Sequence, residues 1–301
     1  MNTETLDQPI VADVAVSAPA VVIESATPAV AAVAEGPNPF IALGLDGALV
    51  RAVSDLGYTQ PTEVQAKVIP LAMGSGKADE ASIDLMVSSQ TGSGKTAAFL
   101  LPVLNTLIAQ KAIEAAAEQA EFERQRAQAA ASGEAAPKRA KRKNPMQSRN
   151  FKAAVPGALV LCPTRELAQQ VAQDAIELVK HCKNLRVANV VGGMPYQLQI
   201  AKLQNADLVV ATPGRLLDLQ RSLQIKLDKV QFLVVDEADR MLDLGFADDL
   251  EEVHQMTAQR KQTMMFSATF APRIQQLAMR VMHDGGSSVQ KVTIDSPQEK
   301  H

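Results

Sequence analysis

The sequence predicts an α/β fold in which a parallel β-sheet carries helices on both faces. From residue 40 onward, short apolar runs alternate with longer segments of helical pattern. The short runs are apolar throughout instead of alternating with polar residues, which is typical of strands that are covered on both faces. A regular alternation of strand and helix also favours parallel pairing of the strands.

Seven runs are the candidate strands, and they lie at 85–87, 158–162, 187–191, 208–210, 232–235, 263–266 and 289–294. The clearest helices between them are predicted at 165–180, 213–220 and 272–282. In open parallel sheets, ligands bind beyond the carboxyl ends of the strands. The residues that directly follow each strand are therefore the first candidates for a functional site.

Composition narrows the class of protein. The apolar fraction of 47% is enough for a substantial core, and the net charge of −3 gives no sign of a chain-wide basic surface. Cys162 and Cys182 fit neither a metal-binding nor a disulfide spacing, which suits a reducing cytoplasm. Acidic residues interrupt the N-terminal apolar stretches, and the chain has no run of about 18 apolar residues. We therefore expect a cytoplasmic location and no membrane contact.

The chain divides into segments of different composition. Residues 1–37 are rich in Ala, Val and Pro and lack a sustained hydrophobic period, which predicts a disordered leader. Residues 38–295 hold the predicted strands and helices and are expected to form one domain. Within it, about sixty residues separate Thr96 from the next strand, although a crossover needs only about a dozen. The excess, 111–152, is predicted to be an insertion.

The insertion has two halves. Residues 113–131 are rich in Ala, Glu, Gln and Arg and predict an exposed helix, whereas the second half is basic and is predicted to be flexible. The basic half has no acidic residue and carries its charge at Lys138, Arg139, Lys141, Arg142, Lys143, Arg149 and Lys152. Such a charge run is most often a solvated loop. An auxiliary contact with RNA phosphates, or a nuclear-localisation signal, would have the same composition.

A glycine-rich loop follows the first predicted strand. It reads Thr91-Gly92-Ser93-Gly94-Lys95-Thr96 and opens a predicted helix. Glycines allow backbone N–H groups to point at a phosphate, and the helix N-terminus adds a positive dipole. In this pattern Lys95 would reach the β- and γ-phosphates and Thr96 would hold Mg²⁺. The usual pattern begins with Gly where this chain has Ser89, so a glycine-rich turn that only caps a helix is the alternative.

Two carboxylates follow the predicted strand at 232–235. Asp236 comes directly after that strand, and Glu237 is the next residue. The first would bind Mg²⁺, partly through water, and the second can polarise an attacking water. An acidic pair at this place is otherwise a helix cap. The phosphate loop upstream favours ATP hydrolysis, with Lys95, Asp236 and Glu237 as the catalytic residues.

These motifs and five others occur in an order that resembles one family, the DEAD-box ATP-dependent RNA helicases of bacterial type. The similarity is to the N-terminal RecA-like domain and covers residues 40 to about 294. The matching strings are Gly-Tyr-Thr-Gln-Pro-Thr-Glu-Val-Gln at 57–65 with Phe40 upstream, the loop at 89–96, Pro-Thr-Arg-Glu-Leu-Ala at 163–168, Gly-Gly at 192–193, Thr-Pro-Gly-Arg at 212–215, Asp-Glu-Ala-Asp at 236–239 and Ser-Ala-Thr at 267–269. Family members commonly have Ala or Ser at the position of Ser89. Each string is weak alone, but seven in one order are specific.

The resemblance implies a role for each matching residue. Gln65 would read the adenine edge, Tyr58 would stack or pack at the adenine, and Phe40 would support the site. Core packing is the alternative for both aromatic residues. The remaining nucleotide contacts would come from Thr62, Ser89, Gln90, Thr91, Gly92, Ser93, Gly94, Lys95 and Thr96. The RNA backbone would contact Pro163, Thr164, Arg165, Gly193, Thr212 and Arg215. Ser267 and Thr269 would hydrogen-bond to Asp239 and couple the ATP state to RNA.

The resemblance also implies properties of a whole helicase. These are ATP and Mg²⁺ as cofactors, RNA bound with little sequence preference, ribonucleoprotein or RNA-decay partners, and a second RecA-like domain with arginine fingers. The chain lacks the family's His-Arg-x-Gly-Arg-x-x-Arg motif, and 296–301 is similar to the linker between domains. We therefore expect these residues to bind nucleotide but to hydrolyse it poorly. Another P-loop ATPase and a non-catalytic nucleotide- and RNA-binding module are the alternatives.

Overall fold

The computed structural model describes residues 38–74, 83–141, 143–144 and 147–294. Its strands are β1 (Leu85–Ser88), β2 (Ala158–Leu161), β3 (Val187–Val190), β4 (Leu208–Ala211), β5 (Phe232–Val235), β6 (Gln262–Ser267) and β7 (Gln290–Thr293). They form one sheet in the order β3-β4-β2-β5-β6-β1-β7, and all pairs are parallel. The predicted fold class is confirmed, and each predicted strand appears within one residue of its predicted bounds. The leader at 1–37 and the linker at 296–301 lie outside the described residues.

Helices cover both faces of the sheet. They are α1 (Gly47–Asp55), α2 (Glu63–Met73), α3 (Lys95–Ser132), α4 (Arg165–Leu178), α5 (Tyr196–Leu203), α6 (Pro213–Arg221), α7 (Ala238–Asp243), α8 (Ala247–Met256) and α9 (Pro272–Val281). Local sequence explains several starts. Thr62 and Gln65 form a reciprocal capping box at α2, the Thr164 side chain accepts a hydrogen bond from Leu167 N, and proline opens α6 and α9.

The sheet separates two buried apolar layers. Successive strand residues alternate between them, since Leu85 and Val87 face the layer that contains Phe99, whereas Met86 faces the layer that contains Leu216. Both layers are closed to solvent, which explains why the strand sequences are apolar throughout. Because all the strands are parallel, their carboxyl ends lie at one edge of the sheet. That edge holds the site described below.

One helix, α3, is much longer than the others. Its 38 residues begin at the glycine-rich loop, and its first half is buried at Ala98, Leu101 and Leu104. Its second half is mostly exposed, so the predicted helix at 113–131 is confirmed as a continuation of the crossover helix. An 18-residue stretch of α3 is apolar enough to span a membrane by length and composition, but 44% of that stretch is buried within the domain. A core helix passes the same test, so this is weak support for membrane contact.

Candidate nucleotide site

Three neighbouring strands bring the chemical motifs together. β5, β6 and β1 are adjacent in the sheet, so the residues after their carboxyl ends share one edge. The Ser89 N–H donates to the Ser267 carbonyl at 3.0 Å, and the Ser88 hydroxyl donates to the Ala268 carbonyl at 3.1 Å. The first residue of the glycine-rich loop is thus bonded to the last residue of β6.

The loop requires glycine where it meets α2. Gly94 has φ 85° and directly precedes α3. A Cβ at Gly94 would lie 2.7 Å from Gln65 Nε2 and 2.8 Å from Thr62 Oγ1, so no side chain fits there. Gln65 Nε2 also donates to the Gly94 carbonyl at 3.1 Å. Thr62 and Gln65 at the start of α2 therefore hold the loop through its contact at Gly94.

Lys95 joins the loop to the two carboxylates. Its Nζ lies 3.0 Å from Asp236 Oδ1 and 3.6 Å from Glu237 Oε1. The Asp236 side chain is fully buried, whereas that of Glu237 is 24% exposed. Glu237 has φ 51°, a strained conformation for a residue without glycine's freedom, and it precedes α7. The turn after β5 thus buries one carboxylate and presents the next to the cleft.

Several buried polar atoms at this edge lack a hydrogen bond within the described residues. They are Ser89 Oγ, Ser93 Oγ, Ser267 Oγ and both carboxylate oxygens of Asp236. Of the two Asp236 oxygens, Oδ1 has Lys95 Nζ as an ionic partner at 3.0 Å. Unpaired buried groups of this kind are costly, and few are tolerated in a folded protein without a functional reason. Phosphate oxygens and a hydrated Mg²⁺ would supply the missing partners, so the residues present fit a magnesium nucleotide.

The site does not resemble a metal centre made by protein alone. Among the described residues, no three His, Cys, Asp or Glu side chains form a group that could hold a metal ion. Mg²⁺ is usually held by one or two carboxylates together with water and substrate phosphates. Asp236 and Thr96 are therefore adequate for Mg²⁺ only when phosphate oxygens complete its shell.

Asp236→Asn is expected to stabilise the nucleotide-free chain. Burial raises the pKa of Asp236, although Lys95 acts to lower it. When folding raises the pKa of an acid, the folded protein loses stability as pH rises from the unfolded-state pKa of about 4 through the folded-state pKa. Asparagine does not ionise, so the variant does not suffer this loss. We expect the unfolding midpoint to rise at pH 7 and the gain to shrink toward pH 4.

The control for this measurement is Asp243→Asn. Asp243 is exposed on α7 and pairs with Arg273 at 2.6 Å, so its replacement should change the midpoint very little. A lower midpoint for Asp236→Asn at pH 7 would show that the pairing with Lys95 outweighs the burial of Asp236.

A cavity of about 400 Å³ lies beside the loop. It is lined by Leu56, Tyr58, Thr62, Gln65, Thr91, Gly92, Gly94, Lys95, Thr96, Ala97, Leu167, Gln170, Asp174, Glu177, Leu178 and Glu237. Tyr58 is 48% exposed at its border, so it does not pack in the core. Phe40 is 1% exposed and packs within one apolar layer, so in this conformation it can act on a ligand only through its neighbours.

Gln65 has a structural role that the sequence did not reveal. It is 2% exposed, its Oε1 accepts from the Thr62 N–H at 3.0 Å, and its Nε2 donates to the Gly94 carbonyl. Each end of the amide retains capacity for one further hydrogen bond. The predicted adenine contact therefore has to share this amide with the capping box and the loop.

The sequence alone did not predict that helix α4 forms one wall of the cavity. Gln170, Asp174 and Glu177 lie on one face of α4 and line the cavity. Burial raises the pKa of Asp174. Their spacing of four and three residues places them on one helical face, and this spacing was the only sequence feature that could have indicated a shared surface. It did not predict a cavity wall, because polar residues at that spacing usually face solvent.

Comparison with known proteins identifies the family. A model of the DEAD/DEAH box helicase family matches residues 62–277, which is most of the chain. The chain belongs to the DEAD/DEAH box helicase family. It is 42% identical over 244 residues to DEAD-box ATP-dependent RNA helicase 52A of Oryza sativa, and 38% identical over 247 residues to ATP-dependent RNA helicase SrmB of Escherichia coli. These relatives come from a plant and a bacterium, so the bacterial type stays a prediction.

Solved helicase structures share the fold. A hypothetical ATP-dependent RNA helicase of Sulfolobus tokodaii matches 83% of this chain with a TM-score of 0.60 and 30% identity. A DEAD box protein of Methanococcus jannaschii matches 85% with a TM-score of 0.61 and 29% identity. The chain covers 57% and 56% of these structures, and it spans 35% and 45% of the rice and E. coli relatives. The RecA-like fold is thereby confirmed.

The predicted RNA contacts of this DEAD-box chain follow β2, β3 and β4. Thr164 caps α4, Arg165 is exposed, and Arg165 Nη1 donates to the Gly192 carbonyl at 3.4 Å. Gly193 has φ 82°, and a Cβ there would overlap the Arg165 guanidinium. Arg165 and the glycine pair therefore form one surface, and Pro163 is buried beneath it.

A second cluster holds Arg215. Its guanidinium lies 5.0 Å from the centre of the Tyr196 ring, and Nε donates to Gln199 Oε1 at 2.7 Å. Gln199 is itself buried and donates to the Val191 carbonyl. Thr212 precedes α6 without a capping bond from its side chain. Arg215 is thus oriented by neighbours that no motif string included.

The predicted coupling residues are close in sequence to the site but are not bonded as the resemblance implied. Ser267 Oγ is buried and makes no hydrogen bond among the described residues. Thr269 is exposed, and Asp239 lies in the first turn of α7. The bonds from Ser267 and Thr269 to Asp239 are absent from this conformation, and the coupling role of the three residues stays a prediction.

Proposed function

We propose that this chain is the ATP- and RNA-binding domain of an ATP-dependent RNA helicase. It would bind a magnesium adenine nucleotide at the carboxyl ends of β1 and β5, and the RNA backbone at the ends of β2, β3 and β4. Binding and hydrolysis of ATP would then drive local unwinding of short RNA duplexes or remodelling of ribonucleoproteins. The relatives named above are described as ATP-dependent RNA helicases, which supports the proposal.

One observation carries the nucleotide half of this proposal. Lys95, Asp236 and Glu237 meet within 3.6 Å beside a glycine-rich loop. Three buried hydroxyls near them, those of Ser89, Ser93 and Ser267, have no hydrogen-bond partner among the described residues. In a P-loop enzyme such groups neutralise phosphate charge, hold Mg²⁺ and orient water. The alternative role as a helix cap has no support, because the Glu237 side chain at the N-cap of α7 makes no capping hydrogen bond.

Each side chain has a distinct task in this proposal. Lys95 would leave Asp236 and turn to the phosphates, which frees the buried carboxylate for Mg²⁺ through water. Glu237, which is partly exposed in the cleft, would accept the proton of the attacking water. Thr96, the second residue of α3, would contribute its hydroxyl to Mg²⁺, which stabilises charge on the phosphates when bound.

We also propose that these 301 residues hydrolyse ATP slowly by themselves. Lys95 is the one cation among the described residues that line the cleft, and no arginine lines it. In comparable phosphoryl transfers an arginine supplied by a partner contributes about 10³- to 10⁵-fold. A second RecA-like domain would supply that arginine in the whole protein.

RNA binding in the proposal depends on backbone recognition. Arg165 and Arg215 lie in the first turns of α4 and α6, and Gly193 lies in the turn that follows β3. All three are thus near the carboxyl ends of strands, beside helix N-termini that suit phosphate. None of these features reads a base, so little sequence preference is expected. From the family, we further propose that the protein is cytoplasmic and that its partners are components of ribonucleoproteins or of the RNA-decay machinery.

A duplex-unwinding assay tests the proposal. A protein that contains these residues and a second RecA-like domain should unwind a short RNA duplex with ATP, and RNA should stimulate its ATP hydrolysis. Hydrolysis that ignores RNA would indicate another kind of P-loop ATPase. Binding of both ligands without any turnover would indicate a non-catalytic module.

Nucleotide choice is expected to depend on Gln65. The chain should bind ADP more tightly than GDP, and Gln65→Ala should lose that preference because a buried amide that reads the base edge would be missing. We expect the difference in binding free energy between ADP and GDP to shrink by about 1–3 kcal/mol, as measured by calorimetry. Glu63→Ala is the control, since Glu63 is exposed on the same helix and does not line the cavity. Equal affinity for ADP and GDP in the unmutated chain would contradict the assignment.

A further inference from the structure

A charged surface lies far from the nucleotide site. We call the described residues 137–141, 143–144 and 147–152 the basic arm. Lys138, Lys141 and Lys143 are exposed, and none of them forms an ion pair within the described part of the chain. Arg149 and Lys152 are exposed as well. The arm itself contains no acidic residue, although Glu118 on α3 lines the same surface cavity as Lys138 and Arg139.

The path of α3 places this arm. The helix starts at the carboxyl ends of the strands and runs to the opposite edge of the sheet. There, Lys111 Nζ lies 2.9 Å from Asp207 Oδ1, and Gln110 Nε2 donates to Gln231 Oε1 at 2.7 Å. Asp207 and Gln231 directly precede β4 and β5, so α3 has crossed the sheet by residue 111. Its last 21 residues then extend about 30 Å further, at 1.5 Å per residue.

The basic arm is held to this extension and to the same edge. Arg139 lies 5.3 Å from the centre of the Phe122 ring on α3, and it donates to Gln119 Oε1 at 2.6 Å. At the other end of the arm, the Lys152 N–H donates to Gln204 Oε1 at 3.4 Å. Ala154 then pairs with Ile225 just before β2 begins. Both ends of the arm are therefore fixed on the side away from the nucleotide cleft.

Neighbouring loops extend the charge. Lys226, Lys229 and Lys261 are exposed in the loops that precede β5 and β6. Three acidic residues, Glu114, Asp207 and Asp228, line the same cavity as Lys229 and Lys261. Phe151 is 39% exposed beside Lys152 and offers a ring for stacking. Clustered lysines with an exposed aromatic ring suit a flexible polyanion that has π faces, which describes single-stranded RNA.

We propose that the basic arm is a second RNA-backbone site, on the sheet edge opposite to the nucleotide cleft. It is separate from the contacts proposed for Arg165 and Arg215, which lie at the carboxyl ends of the strands. The arm would hold one segment of a long RNA while the other surface engages a different segment. Linking two weak sites in this way raises the overall affinity without sequence preference. The inference rests on the proposed function only in naming RNA as the ligand.

The test is the salt dependence of RNA binding. A fluorescein-labelled single-stranded oligouridylate is titrated with the 301-residue chain between about 50 and 200 mM salt. The triple variant K138Q/K141Q/K143Q is expected to bind several-fold more weakly at low salt. Its slope of log affinity against log salt should be shallower by about 2, since each single-strand phosphate contact contributes about 0.7.

The matched control is R124Q/R126Q/K183Q, which removes the same charge from exposed positions outside the arm. It should retain the unmutated slope. An equal loss in the control, or an unchanged slope in the arm variant, would overturn the proposal. A polyglutamate of equal charge that displaces the oligouridylate as well as unlabelled RNA does would also overturn it and would indicate an acidic protein partner.

A second pair of variants separates the two surfaces. The arm substitutions are combined with R165Q/R215Q, and the losses in binding free energy should add, as for independent sites. A combined loss no greater than either single loss would show one shared surface and contradict the proposal. If R165Q/R215Q leaves RNA affinity unchanged while the arm variant lowers it, the proposal for the basic arm is supported. The proposed RNA contacts at the carboxyl ends of the strands would then be contradicted.

Discussion

Glu237→Gln is expected to lower RNA-stimulated ATP hydrolysis by about 10²- to 10⁴-fold in a protein that combines these residues with a second RecA-like domain. Glutamine retains the shape of the side chain but cannot accept the proton of the attacking water. Glu237 is partly exposed in the cleft, 3.6 Å from Lys95, and the fully buried Asp236 is left to hold Mg²⁺. ATP and RNA should therefore still bind. Steady-state hydrolysis and RNA-binding titrations measure the two effects separately.

The 301-residue chain provides an internal comparison. Its hydrolysis is expected to be slow already, so Glu237→Gln should change it little. Asp243→Asn, on the helix that follows Glu237, controls for loss of a nearby exposed carboxylate and should leave the rate intact. Brisk RNA-stimulated hydrolysis by the unmutated chain alone would contradict the requirement for an arginine from a second domain.

Much of the fold could be predicted because each strand is buried on both faces. An uninterrupted apolar run such as Leu159 to Leu161 is a strong local signal, and it does not depend on distant contacts. The proximity of Lys95 and Asp236 in the fold was predictable for a related reason. Both follow strands of a parallel sheet, and carboxyl ends of such strands share one edge.

The remaining features depend on contacts between distant parts of the chain. The bond from Gln65 to Gly94 joins residues 29 positions apart, so no local pattern indicates it. The face of α4 with Asp174 looks like an ordinary solvated face until the cavity is seen. The position of the basic arm follows from the length of α3, since the predicted insertion boundary at 111 falls inside one continuous helix.

Lys95→Met is expected to weaken binding of magnesium ADP or ATP by about 10- to 100-fold. Charge-assisted hydrogen bonds contribute about 1.5–3 kcal/mol each, and methionine fills similar space without the charge. The substitution also leaves Asp236 buried without its cation, so a thermal unfolding curve should accompany the binding measurement to confirm that the variant is folded. Isothermal calorimetry measures the affinity directly.

The most direct test of the nucleotide site is that calorimetric titration, performed with the unmutated chain, Lys95→Met and Lys111→Met. Lys111 is the matched control, because it lies on the same helix and pairs with Asp207 at the opposite edge of the sheet. We predict one nucleotide per chain, bound alike by the unmutated chain and Lys111→Met, and a large loss with folded Lys95→Met. Equal affinity in all three proteins, or no binding by the unmutated chain, would contradict the assignment of this cleft.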